Sequence, residues 1–168
     1  LRLHTDFSIS DGLVTIAPLI DRLLELKMPT VAITDIANFF GLIKFYSKSI
    51  SSGIKPLCGC DVLVRDQETG LESHLVLLVQ DKQGYLNLTE LISEIYTDAN
   101  GLSDTVLFKS KLQGRTAGLI ALSGAQLGDV GRALLADEFD DAKSLLGDWQ
   151  KLFPNRFYLE LQRLGKPD

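Results

Sequence analysis

This sequence predicts an α/β domain built on a largely parallel sheet or barrel, and three observations carry that prediction. Short apolar runs rich in strand-forming residues alternate, with one exception, with stretches of helical periodicity. The run from Ser73 to Gln80 (SHLVLLVQ) is apolar almost without a break, as expected of a strand covered on both faces. Polar residues gather just past the carboxyl ends of the runs, where α/β folds collect their chemistry.

Each element follows from local pattern. Residues 1–4 open as a short strand. Ile16, Leu19, Ile20, Leu23, Leu24 and Leu26 recur at helical spacing, with Thr15 as the N-cap and Pro18 in the first turn, where its missing N–H costs little. That helix runs to about Lys27, and Pro29 stops it. Residues 31–34 form a strand ending at Asp35, and 41–49 a helix closed by Ser51-Ser52-Gly53. Residues 56–64 and 73–80 read as buried strands joined by a turn at 67–70. Asp81 caps a helix to about Tyr96 with Tyr85, Leu88, Leu91, Ile92 and Ile95 on its inner stripe. Residues 98–103 form a polar loop and 106–112 a short helix. A strand at 118–123 precedes helices at 128–136 and 139–153; the second carries Phe139, Ala142, Leu145, Leu146, Trp149 and Leu152 inward. Pro154-Asn155 ends it, and 157–161 is a final strand.

Composition narrows the function classes. The 168 residues include 17 Lys and Arg against 22 Asp and Glu, a net charge of −5, which disfavours gripping a phosphate backbone unaided. No apolar run nears the roughly 20 residues a membrane helix needs. Cys58 and Cys60, side by side on one strand face, are too few for a disulfide framework and fit a reduced, cytosolic chain. They do not make a zinc site either. No phosphate-binding glycine loop and no nucleophile elbow are present. Lys44, Lys48 and Lys55 read as a solvated helix face rather than a nucleic-acid groove. With Leu at position 1 and Met28 the sole methionine, we expect sequence upstream, and the abrupt Gly165-Lys166-Pro167-Asp168 ending suggests more downstream.

Beyond the strand ends lie His4, Thr5, Asp6, Ser8 and Asp11, then Thr34, Asp35 and Asn38, then Asp61, then Ser123-Gly124; His74 falls at the start of its strand. Mixed carboxylate and imidazole donors suit a metal site that hydrolyses a phosphoester. The same residue types are also what helix caps prefer at such positions. Residue type alone leaves both readings open.

The segment from Leu3 to Gly12 (LHTDFSISDG) resembles the opening motif of the PHP (polymerase and histidinol phosphatase) family, more narrowly the branch that opens bacterial replicative DNA polymerases. Further agreement lies in Ala32-Ile33-Thr34-Asp35 with Asn38 and Gly41-Leu42, in Ile54 to Gly59, and in His74 to Leu78. It continues through Gly84 to Leu88, Gly118 to Gly124, and Phe157 to Leu161. The resemblance implies a distorted seven-stranded β/α barrel. Only six strands are legible, so the last part of the barrel would be missing and one sheet edge open. Active family members hold a metal cluster, mostly on histidines. His4, Asp11 and His74 match those positions, while Asp6 stands for a His and Asp61 for a Glu. Ile36 replaces a His and Ala125 a Cys, and the last Asp-x-His motif would lie past Asp168.

By resemblance, then, the first reading is a degenerate PHP domain without a full cofactor set, binding at most one weak Mg²⁺, Mn²⁺ or Zn²⁺. It would stabilise the polymerase and dock its separate proofreading exonuclease subunit, meeting DNA only through the parent protein. The second reading is a metal-dependent phosphoesterase using His4, Asp6, Asp11, Asp35 and His74.

Overall fold

Two adjacent strands, each with a run of four consecutive buried residues, set the centre of the sheet. The computed structural model describes residues 2–9, 11–97 and 105–162. Strands β2 (Lys55–Arg65) and β3 (Glu72–Val79) pair antiparallel, with Asp61 opposite Val76 and Leu63 opposite His74. Cys60, Val62 and Val64, with Leu75 and Leu77, face one side; Gly59, Asp61 and Leu63, with His74, Val76 and Leu78, face the other. Both faces are covered, which explains the unbroken apolar run of β3.

The remaining strands are β1 (Thr30–Ile33), β4 (Val106–Phe108), β5 (Leu119–Leu122) and β6 (Phe157–Tyr158). Their order is β1-β2-β3-β5-β6, with β4 also on β2. β1 and β4 lie parallel to β2, and β6 parallel to β5. β3 alone runs the other way. The sheet is thus mixed but mostly parallel, and among the described residues it does not close.

Among the described residues five α-helices support it: α1 (Ile16–Glu25), α2 (Leu42–Ser51), α3 (Lys82–Thr97), α4 (Asp129–Leu135) and α5 (Phe139–Leu152). The main core packs Leu88, Leu91 and Ile95 of α3, Val130 of α4, and Trp149 with Phe153 against the sheet. Trp149 donates its indole N–H to Asp129 at 2.8 Å, tying α5 to the start of α4. A second cluster joins α1 and α2 to β1 through Ile16, Ile20, Leu23, Ile33 and Phe45. A smaller third one, Ala32, Val76, Leu78 and Leu122, all strand residues, lies on the opposite face.

Several sequence expectations need correction. Residues 106–112 are not a helix: Val106–Phe108 pairs with Leu63–Arg65 as β4, and only a 3-10 turn, Lys109–Leu112, follows. The free edge of β2 supplies backbone partners that a short helix would forgo. No strand forms at residues 2–4, although this segment lies beside β1: Leu3 accepts from the Thr34 N–H at 2.9 Å. Thr15 sits at the N-cap but makes no side-chain cap bond. Tyr85 and Phe139 lie outside the buried stripes; Tyr85 stacks on Phe39, and Phe139 is exposed. The final strand is only two residues long, with Leu161 exposed beyond it. Asp81 does cap α3, accepting from the Gly84 N–H at 2.9 Å. The loop expected at 98–103 lies outside the described residues.

Candidate functional site

Because β3 runs antiparallel to its neighbours, its N-terminal end lies at the carboxyl end of the parallel strands. That places His74 beside Asp61, on the sheet face away from the main core. Asp61 is wholly buried and is the hub. His74 Nδ1 lies 2.9 Å from its Oδ1. Its Oδ2 takes His4 Nε2 at 3.0 Å and two nitrogens of Arg2, Nε at 2.9 Å and Nη2 at 2.6 Å. Arg2 also points Nη1 at the Gly124 carbonyl (3.4 Å) and lies 3.8 Å from a Glu160 oxygen. Gly124 is left-handed (φ +72°), and a Cβ there would strike the His74 carbonyl, so glycine lets this turn sit against β3.

The electrostatics follow from these contacts. Burial pushes the Asp61 carboxyl up, but hydrogen bonds from His4 and His74 and the Arg2 charge outweigh it, holding the group well below the usual carboxylate range. His4 bridges two carboxylates, with Nδ1 2.7 Å from Asp11 Oδ2. Its hydrogen bond to Asp61, opposed by burial and helped by Asp11, raises its pKa above the ordinary 6.5. Only the doubly protonated imidazole satisfies both acceptors. An open cavity of about 390 Å³, lined by Arg2, His4, Asp11, Leu13 and Val14, adjoins this pair.

The other expected residues are placed elsewhere. Asp35 is buried, but its oxygens are taken by the Thr5 N–H (2.6 Å), the Thr5 hydroxyl (2.8 Å) and the Ser8 hydroxyl (2.7 Å). It clamps the opening segment to the end of β1. Asp6 is exposed and makes no side-chain hydrogen bond among the described residues. Ile36 packs against the main core, and Ala125 is buried at a left-handed position (φ 50°). Cys58 and Cys60 are raised by burial, Cys58 to about 12, so neither is a thiolate.

This donor set does not fit a metal cluster. The roughly four lone-pair directions of Asp61 are met by Arg2, His4 and His74. A guanidinium already supplies the positive charge, and no group of three or more His, Cys, Asp or Glu able to hold a metal occurs among the described residues. Sequence reasoning missed Arg2 and Glu160. Arg2 lies two residues before His4, the spacing that puts extended side chains on one face, which was the available signal.

A PHP domain profile matches residues 1–164, and the chain belongs to the PHP domain family. Among its relatives by sequence is the DNA polymerase III subunit alpha of Pseudomonas aeruginosa, 44% identical over 99% of this chain and 14% of that protein. The subunit of the same name from Escherichia coli K12 is 41% identical over all of this chain and 15% of its own length. The chain therefore spans a small fraction of the relatives it matches. Among solved structures, an amidohydrolase from Chromobacterium violaceum with bound sulfate and no metal aligns over 57% of this chain and 32% of its own. Its identity is 26% and its TM-score 0.45. No helix among the described residues is long and apolar enough to cross a membrane.

Proposed function

We propose that this chain is the N-terminal PHP domain of a bacterial DNA polymerase III alpha subunit and that it acts there as a scaffold. One observation carries the reading: Arg2 occupies Asp61 from inside the protein, at 2.6 and 2.9 Å, so the polar cluster is a self-neutralised structural joint. The joint ties the opening segment, β2, β3 and the Gly124 turn together. In this reading the six strands are part of a seven-stranded β/α barrel completed by residues past Asp168. Nucleotidyl transfer resides in other domains of the parent subunit, which carries the contact with DNA. The domain works in the cytoplasm, stabilises the polymerase, and docks the proofreading exonuclease subunit.

A second reading has one observation in its favour. His4 and Asp11 border an open cavity near the exposed Asp6, a set that suits one weakly held Mg²⁺, Mn²⁺ or Zn²⁺ and a residual phosphoesterase. The deciding experiment is elemental analysis of chelator-stripped protein after re-equilibration with each metal, on this chain and on a version extended past Asp168. The scaffold reading expects far less than one ion per chain and no phosphoester turnover, with binding of the exonuclease subunit retained. About one ion per chain, lost with His4→Ala or Asp6→Ala and accompanied by turnover, would overturn it.

A further inference from the structure

We propose that the cavity bounded by the β2–β3 turn, α4 and α5 is a binding site for a small carboxylic acid with an apolar body, held as its carboxylate. The strand register builds its back wall. Leu107 of β4, Val64 of β2 and Ser73 of β3 lie side by side across three paired strands, on the sheet face of the main core. The core continues through Leu75 and Leu77, but beside Val64 and Ser73 a cavity of about 510 Å³ opens. Small-molecule sites occupy about 300–1,000 Å³. Val64, Ala133, Leu145 and Trp149 give this one apolar walls. It lies on the opposite sheet face from Asp61 and shares no lining residue with that cluster, so it stands or falls apart from the scaffold reading.

The polar groups of the wall select the ligand's charge, because the inner acceptors are engaged and the donors are not. Asp129 turns both oxygens to the Trp149 indole N–H, and one of them also accepts from the Val130 N–H. Asp66 accepts from the Glu68 and Thr69 N–H groups and so shapes the turn. Ser73 is only 6% exposed, yet its hydroxyl makes no hydrogen bond among the described residues. A buried hydroxyl without a partner is costly, and this one lines the cavity. Lys109 holds its ammonium 4.6 Å from the Trp149 ring centroid, and no carboxylate among the described residues pairs with it. Arg132 donates to the Glu72 carbonyl and likewise has no ion pair among the described residues. An ammonium, a guanidinium and a hydroxyl around an apolar floor suit one carboxylate on an apolar body. Glu138 and Asp141, exposed at the rim, repel the several charges of a nucleotide. Being solvated, those two carboxylates give an amine little.

Trp149 is the sole tryptophan and lies in the wall, so its emission reports binding. The test titrates 3-phenylpropionate, 3-phenyl-1-propanol and 3-phenylpropylamine into this chain and into a version extended past Asp168. The carboxylate is expected to bind both saturably, with a Kd on the order of 1 mM. The alcohol and the amine should bind about tenfold more weakly. Lys109→Gln should bring the carboxylate to the affinity of the alcohol. Ser73→Ala, which removes a hydroxyl that has no partner in the free protein, should weaken the carboxylate about threefold and leave the melting temperature unchanged. Ala133→Leu, which fills the cavity, should abolish the response; circular dichroism melts check that each variant folds. The proposal is overturned by an absent or non-saturable response, by equal affinity for the three probes, or by a carboxylate preference unchanged in both Lys109→Gln and Ser73→Ala. It is also overturned if the extended version fails to bind, since the parent chain then fills the cavity itself.

Discussion

Replacing Arg2 by Met tests the internal-cation joint directly. The substitution keeps much of the aliphatic stem but removes the guanidinium from a carboxylate with no solvent access. Asp61 then retains His4 at 3.0 Å and His74 at 2.9 Å, so it is weakened rather than abandoned. Removing one partner of a buried pair costs about 3–5 kcal/mol, and the two remaining histidines argue for the lower figure, about 3 kcal/mol. For a chain of this length each kcal/mol moves the melting temperature by about 2–4 °C, giving an expected fall of about 6–12 °C. Circular dichroism melts at neutral pH read this directly. Changing Asp61 to Asn in the same chain removes the orphaned charge, so the double variant should melt above the sum of the single losses. A fall under about 2 °C for Arg2→Met, or strict additivity in the double variant, would refute the joint.

Other outcomes follow from the same contacts. His4, whose pKa is raised by its bond to Asp61 against burial, contributes stability that is full below about pH 6.5 and is lost as pH rises through the raised value. The wild type should therefore lose more melting temperature than His4→Gln between about pH 6.5 and 8.5, and equal slopes would count against it. Asp61, held low, contributes stability above its ordinary 3.8 that is lost as pH falls below it; an acid titration of the melting temperature should show this loss shrink in Asp61→Asn. Asp35→Ala strands the Thr5 N–H and two hydroxyls and should cost about 2–4 kcal/mol in urea titration. Gly84→Ala would drive a Cβ into the Gly118 carbonyl where α3 meets β5, and should cost about 1–3 kcal/mol or more by the same titration.

The sequence patterns located nearly every helix and the long strands, because the periodicities of α3, β2 and β3 arise from burial of one face or two. They did not carry direction. β3 reads the same whichever way it runs, yet its reversal places His74 on Asp61 instead of at the far end of the sheet. The tight turn at 67–70 held that signal, since a connection so short joins only antiparallel strands. Residues 106–112 failed for a related reason: Val106, Leu107 and Phe108 have strand-forming chemistry, but only the free edge of β2 made pairing worth more than a helical turn.

Read as a string, the chain already declared its class. Its motif from Leu3 to Gly12 and the residues His4, Asp11, Ile36, His74 and Ala125 all stand in the sequence because residue identity and order survive without coordinates. What those residues do was decided by tertiary structure. Asp35 turns to Thr5 and Ser8, Asp6 faces solvent, and Arg2 reaches Asp61 across 59 positions of chain. The physical reason is that a buried carboxylate takes its partner from whatever cation the packing brings within hydrogen-bond reach, and that reach is a property of the fold.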